Sequence, residues 1–413
     1  RCVLFTNRIV VKRDLRIIIK EGINRKIPVV VGTAGGCGAK PHLLWCRDIV
    51  IDLAEELNLS IRLGLIFSDI QKDMVIDAFS NGNIISPAEV PKLTYNDIVD
   101  STYLVAQMGL EPVMEAHKYQ CDVILCGRAY DPSAFAALPV LQGFDPGLAL
   151  HMGKILECAA IAAHPGSWSD SVIGILEKDS FRLETLNEER RFTSESTAAH
   201  TLYEKADPYH LHGPGGYLDL TECKFIEDNK GVTVTGSKFI PTENYTIKLE
   251  GARLVGYRTI TIAGNRDPIF IKQINSILNN VYTYTKKLLK NENINGDINY
   301  HIYGINGVMQ SLEPEKNYVN HEICIVIEGI GDTQQDADTV CSIARSTLLH
   351  YGYPDRISTA GNLAFPFSPS DIHGGELYEF SMYHLLELPG AQALSQSKEL
   401  LEVFPLNIED ISY

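Results

Sequence analysis

The sequence predicts an α/β protein: an N-terminal doubly wound, mostly parallel sheet, then a C-terminal α+β domain with ferredoxin-like order. Three observations carry this. Apolar strands alternate with amphipathic helices over 1–165. Short alternating segments rich in turn residues fill 165–263. The order strand, helix, strand, strand, helix then runs over 253–349. At 413 residues the chain also exceeds what one core ordinarily covers, so two domains are expected, 1–165 and 166–413, with a site between them.

Residues 27–31 form a short apolar strand. The helix over 42–57 aligns Leu43, Leu44, Ile49, Val50, Leu53, Ala54 and Leu57 in one stripe, with Asp48, Asp52, Glu55 and Glu56 largely opposite. A strand over 61–67 and a helix over 71–80 follow. A third strand, 103–107, ends at Gly109 and leads to a helix over 111–119. The fourth strand, 122–126, ends at Gly127, and the helix over 131–138 starts with Asp131 as its cap and Pro132 at its first position. Such alternation implies a parallel sheet covered on both faces, with ligands outside the carboxyl ends of its strands. After a helix over 147–163, antiparallel strands are expected at 217–220, 232–240 and 245–249. The alternating strand 253–262, the helix 268–289, strands 298–303 and 321–329 and the helix 332–349 make most of a split β-α-β-β-α-β unit.

Composition limits the function classes. The formal charge of −16 excludes a nucleic-acid or anionic-membrane surface but leaves room for a small anionic substrate at a locally positive site. No apolar run approaches the roughly 20 residues that cross a bilayer. The nine cysteines form no CxxC pair, and their odd number fits reduced thiols in a cytoplasm. The chain opens on Arg1 without Met, so a preceding segment is expected to be missing.

The stretch over 28–47 is the most informative. An apolar run ends at Gly32, and Thr33, Gly35, Gly36, Gly38 and Lys40 follow before a helix starts. Glycines let amide groups crowd a ligand, and a helix N-terminus attracts an anion. The spacing is neither a P-loop nor a dinucleotide fingerprint. Gly32, Thr33, Gly35, Gly36 and Lys40 are therefore candidate anion-binding residues; the alternative is a tight connection without ligand. Arg128, in Cys126-Gly-Arg-Ala-Tyr-Asp-Pro-Ser133, can grip a carboxylate or simply pair with Asp131. Glu111 is the candidate acid or base, or a first-turn acid favoured by the helix dipole. Glu111, Arg128 and Asp131 are the candidate catalytic residues. His151, Lys154 and Cys158 share a helix face; a buried structural cysteine is the expectation over an activated one. His210 and His212 lack an evident third ligand, so no metal is expected. Ser368 and Ser370, with Asp371 and His373, lie in a late loop suited to substrate contacts.

These motifs resemble the acyclic terpene utilisation AtuA family. The resemblance runs through Val29-Val-Val-Gly-Thr-Ala-Gly-Gly36, Cys126-Gly-Arg-Ala-Tyr-Asp131, Gly153-Lys-Ile-Leu-Glu-Cys158 and Ala199-His-Thr-Leu-Tyr-Glu-Lys-Ala-Asp-Pro208. It continues through Lys248-Leu-Glu-Gly-Ala252, Arg266-Asp-Pro268 and Gly361-Asn-Leu-Ala-Phe-Pro-Phe-Ser-Pro-Ser-Asp371. The segment Cys37-Gly-Ala-Lys40 departs from the family form. The resemblance implies breakdown of branched or terpenoid acids and a short partner subunit, and assigns no reaction to named residues. Two function classes are weighed. The first is a lyase or hydratase of a branched carboxylic acid or its CoA thioester, without cofactor except CoA as part of the substrate. The second is a non-catalytic acyl-CoA-binding subunit. A homo-oligomer is expected in either case.

Overall fold

The computed structural model describes residues 6–87, 90–167, 170–315, 320–395 and 397–413. The chain divides into two compact units. One is Arg253–Glu379; the other comprises, of the described residues, 6–252 together with Phe380–Tyr413. Residues 166–252 thus pack with the N-terminal α/β region, and the chain passes between units inside the long strands Thr246–Asn265 and Asp371–Glu387.

The larger unit is built on a sheet in the order Val29–Val31, Val123–Cys126, Ile61–Ile66, Leu406–Ile411. The first three strands are parallel, and the C-terminal one closes an edge antiparallel to Ile61–Ile66. Val123, Ile124, Leu125 and Cys126 are all buried, as a strand covered on both faces requires. Against one face lie the helices Arg8–Arg25 and Lys40–Leu57, through Ile19, Leu43, Ile49 and Leu53. The other face carries Glu111–Lys118 and Asp131–Leu141, through Val113, Ala116, Ala136 and Ala137.

Several elements differ from the sequence reading. Residues Tyr103–Ala106 form a strand but leave the parallel sheet and pair antiparallel with Leu249–Ala252. Their buried, unbroken apolar run does not distinguish one sheet from another. The helix expected over 147–163 is Pro146–Leu156, followed by a separate 3-10 turn at Ala159–Ala162. Ala159, at φ 48°, breaks the path. The strand expected over 232–240 is split at Gly236, at φ 87°, into Gly231–Thr235 and Lys238–Pro241. A four-stranded antiparallel sheet (Lys224–Glu227, Gly231–Thr235, Phe181–Thr185, Val172–Leu176) and a three-stranded one complete this unit.

The smaller unit has the β-α-β-β-α-β order. Its strands are the Arg253–Asn265 part of the first long strand, Gly296–Tyr303, Ile323–Gly331 and the Asp371–Glu379 part of the second; its helices are Pro268–Asn291 and Gln334–His350. In the sheet they lie second, third, first, fourth, the ferredoxin-like arrangement. Phe270, Ile274, Ile325, Ile327 and Val340 fill its core.

Candidate functional site

Three strand-end loops of the parallel sheet meet in the larger unit, and Ser68 stitches them. Its hydroxyl donates to the Gly38 carbonyl at 3.1 Å and accepts from the Arg128 amide at 2.6 Å. The loops are so close that a Cβ on Gly38, at φ 71°, would lie 2.2 Å from the Arg128 nitrogen. Gly38 is thus required by the packing of one loop on the other. The first amide of helix Lys40–Leu57 donates to the Asp69 carboxylate at 2.8 Å, so the chain supplies its own anion at that N-terminus. Gly36 and the Lys40 side chain are exposed, and the Lys40 ammonium lies 5.9 Å from the centre of the Phe67 ring.

Thr33 turns the other way. Its hydroxyl accepts from the Ala129 amide at 3.2 Å and also bonds the Asp131 carboxyl. Arg128, Thr33 and Asp131 therefore meet at the rim of a cavity of about 660 Å³ lined by residues of this unit. Four cations and four carboxylates line it: Arg128, Lys154, Lys205, Lys248, Asp131, Glu157, Glu204 and Glu250. Gln107, Tyr130, His212 and Tyr383 complete its polar wall.

Each charged group is placed by identifiable local structure. Arg128 follows the buried strand Val123–Cys126. Its Nε and Nη2 donate to the two oxygens of Glu250 at 2.8 and 3.1 Å, and Nη1 reaches Thr33 Oγ1 at 3.5 Å. Lys248 and Glu250 alternate on one strand, so both side chains face the same way. Lys248 Nζ lies 2.9 Å from Glu250. Burial favours the neutral form of Glu250, but Arg128 and Lys248 prevail and hold its carboxyl below the usual range. Lys154, only 3% exposed, pairs with Glu157 at the end of helix Pro146–Leu156. Gly153 lets that helix touch the one starting at Asp131, because a Cβ there would lie 2.7 Å from the Pro132 carbonyl. Asp131 is reached by solvent, yet the surrounding protein raises its carboxyl against the pull of Arg128, Lys154 and Lys248.

Lys205, in the turn after helix Ser194–Thr201, is the exception to the pairing. Its ammonium donates to the His212 carbonyl at 2.9 Å and lies 5.4 Å from the centre of the Tyr130 ring. Burial, and then the charge of Lys154, lower its pKa to about 8. His151 holds this region in place: its Nδ1 is 2.7 Å from Ser237 Oγ and its Nε2 2.9 Å from Thr201 Oγ1.

A second cavity, of about 550 Å³, shares Asp131 and Glu157 with the first. Its other walls are mostly apolar: Val30, Ala134, Phe135, Leu138, Met152 and Leu156 among them. Gly32 borders this cavity.

The remaining candidates do not line the charged cavity. Glu111 is buried and lines a very small cavity that shares Tyr130, Gly213, Pro214 and Gly216 with it. Burial raises its carboxyl; its Oε2 accepts from the Tyr245 hydroxyl at 2.7 Å and its Oε1 from the Leu394 amide at 2.8 Å. Ser368 and Ser370 belong to the smaller unit, where Ser370 donates to Asp371. Cys158 is half-buried and its thiol is pushed up by burial, which disfavours a thiolate. Among the described residues, no group of three or more His, Cys, Asp or Glu side chains could hold a metal ion. No helix among them is long and apolar enough to cross a membrane.

Sequence reasoning passed over Lys205, Lys248, Glu250 and Glu157. A signal existed: all four lie inside motifs shared with the family named above, but no spacing rule assigns them a role. The family model described as acyclic terpene utilisation family protein AtuA matches residues 10–355, leaving the loop with Ser368 and Ser370 outside the match. No curated protein and no solved structure matches the chain. The chain belongs to the acyclic terpene utilisation AtuA family.

Proposed function

We propose that the chain is an enzyme of acyclic terpenoid acid breakdown, performing lyase- or hydratase-type chemistry on a branched carboxylic acid or its CoA thioester. The observation that carries this is the pair of adjoining cavities: one charged, one apolar, meeting at Asp131 and Glu157. An acid with a long branched chain has the same division. Its carboxylate or thioester carbonyl would lie against Arg128 Nη1 and Lys248, and its chain along Ala134, Leu138 and Met152. Aliphatic burial contributes about 0.8 kcal/mol per CH₂, which makes the chain the main source of affinity.

Proton transfer falls to Lys205 and Asp131. A lysine of pKa about 8 holds and releases a proton near neutral pH, and Asp131, raised by its surroundings, is a partner of opposite task. Arg128 and the neighbouring lysines stabilise negative charge that develops on a carbonyl oxygen. Glu111, with its oxygens engaged by Tyr245 and the Leu394 amide, supports the Leu394 segment rather than exchanging a proton with substrate.

Calorimetry and turnover assays with branched acyclic acids and their CoA thioesters test this. The expected result is binding, turnover, and a loss of about 10²–10⁴-fold in kcat for Lys205→Arg, the range of a missing proton-transfer group. Binding without turnover would instead support the non-catalytic subunit, and absence of binding would remove the cavity assignment.

A further inference from the structure

We propose that Lys205 is a nucleophile, and that the substrate class is an acyclic acid carrying a ketone or aldehyde carbonyl close to its carboxylate, captured as an imine. The inference rests on the acid-binding reading of the charged cavity and adds a covalent step to it.

The pairing pattern is the first ground. Three of the four cations of the cavity have a carboxylate in ion-pair contact: Arg128 with Glu250, Lys248 with Glu250, Lys154 with Glu157. Lys205 has none at ion-pair distance among the described residues; its acceptor is the neutral His212 carbonyl, and the pull of Glu157 and Glu204 is outweighed by burial and Lys154. A carboxylate beside the amine would hold it as ammonium, which has no electron pair to give. A carbonyl acceptor leaves the neutral amine accessible. Like charge from Lys154 works in the same direction, and a lysine desolvated next to another cation is how an amine becomes nucleophilic at moderate pH.

The second ground is Tyr130. Lys205 lies over its ring, and its hydroxyl is buried with no hydrogen-bond partner among the described residues. A buried hydroxyl without a partner is costly, and an oxygen of a bound ligand would satisfy it. It is suited to donate a hydrogen bond to the carbonyl oxygen while the amine attacks.

The chemistry balances without a further reactant. The amine gives its electron pair to the carbonyl carbon. The oxygen leaves as water with one proton from the amine and one from the medium, and a protonated C=N bond replaces C=O. The iminium then accepts the electron pair of a C–H bond breaking at the adjacent carbon, whose proton passes to a cavity carboxylate. Reprotonation and addition of water return the free amine.

The full chain incubated with 4-methyl-2-oxopentanoate or 3-oxobutanoate and sodium cyanoborohydride, then digested and mapped by mass spectrometry, tests this. The expected result is a reduced adduct on Lys205 far above that on any exposed lysine, absent in Lys205→Arg and suppressed by 4-methylpentanoate. An adduct level at Lys205 no higher than at exposed lysines overturns the proposal. Calorimetric binding of 4-methylpentanoate to the same preparation separates the two readings. Binding without adduct removes the nucleophile and keeps the acid site; loss of both removes both.

Discussion

At the scale of single residues, the chemistry of the charged cavity depends on which cations are neutralised. Arg128 is held by Glu250 through two donors, and its Nη1, 3.5 Å from Thr33 Oγ1, keeps a second N–H for a ligand. Replacing it by Gln should weaken binding of a branched acid about 10–100-fold, the worth of a hydrogen bond to a charged group at ~1.5–3 kcal/mol, with calorimetry as the measurement. Lys205 should give a rate that rises with pH through about 8, because the free amine is the form that accepts a proton. Two histidines act on stability instead. Burial holds His151 at about 3 and His117 at about 4, below the 6.5 of an exposed ring. Both folded values are depressed, so between pH 6.5 and about 4 the unfolded chain binds protons that the fold refuses. Stability should therefore fall with pH across that window. Thermal melts from pH 8 to 4 will show it, and the fall should be smaller in His151→Gln. A Tm that is flat over this range would contradict the neutral burial of these rings.

At the scale of elements, glycines set the distances between loops and between helices. Gly38→Ala forces a Cβ into the Arg128 backbone at a left-handed φ and should cost about 2–4 kcal/mol, measured by denaturant unfolding. The tail cavity makes a separate prediction. Ala134→Phe fills space beside Leu138 and should reduce affinity for long branched acids while leaving short ones unchanged. Strands and helices with a full apolar stripe, such as Lys40–Leu57 and Pro268–Asn291, were legible because periodicity reports burial directly. The partner of Tyr103–Ala106 was not, since strand pairing is decided by contacts far away in sequence. Glycine serves close approach to any backbone, so the sequence leaves the glycine-rich turn open between a ligand cradle and a tight connection. Gly38 approaches the loop carrying Arg128, and the chain's own Asp69 takes the first helix amide.

At the scale of the molecule, a chain of charge −16 concentrates four cations in one cavity beside an apolar one. The fold class and the family were readable from sequence order and motifs. Of the candidate site, Arg128 and Asp131 were readable from their place at strand ends. Lys205 was not, because its lowered pKa comes from burial and the charge of Lys154, both set by contacts far away in sequence. The pKa of that amine is the most direct test of the whole account. Acetic anhydride labelling at increasing pH, read peptide by peptide, should give half-maximal reactivity of Lys205 near its lowered pKa of about 8, with protection by a branched acyclic acid. Titration alongside exposed lysines near ~10.4, without protection, would contradict it.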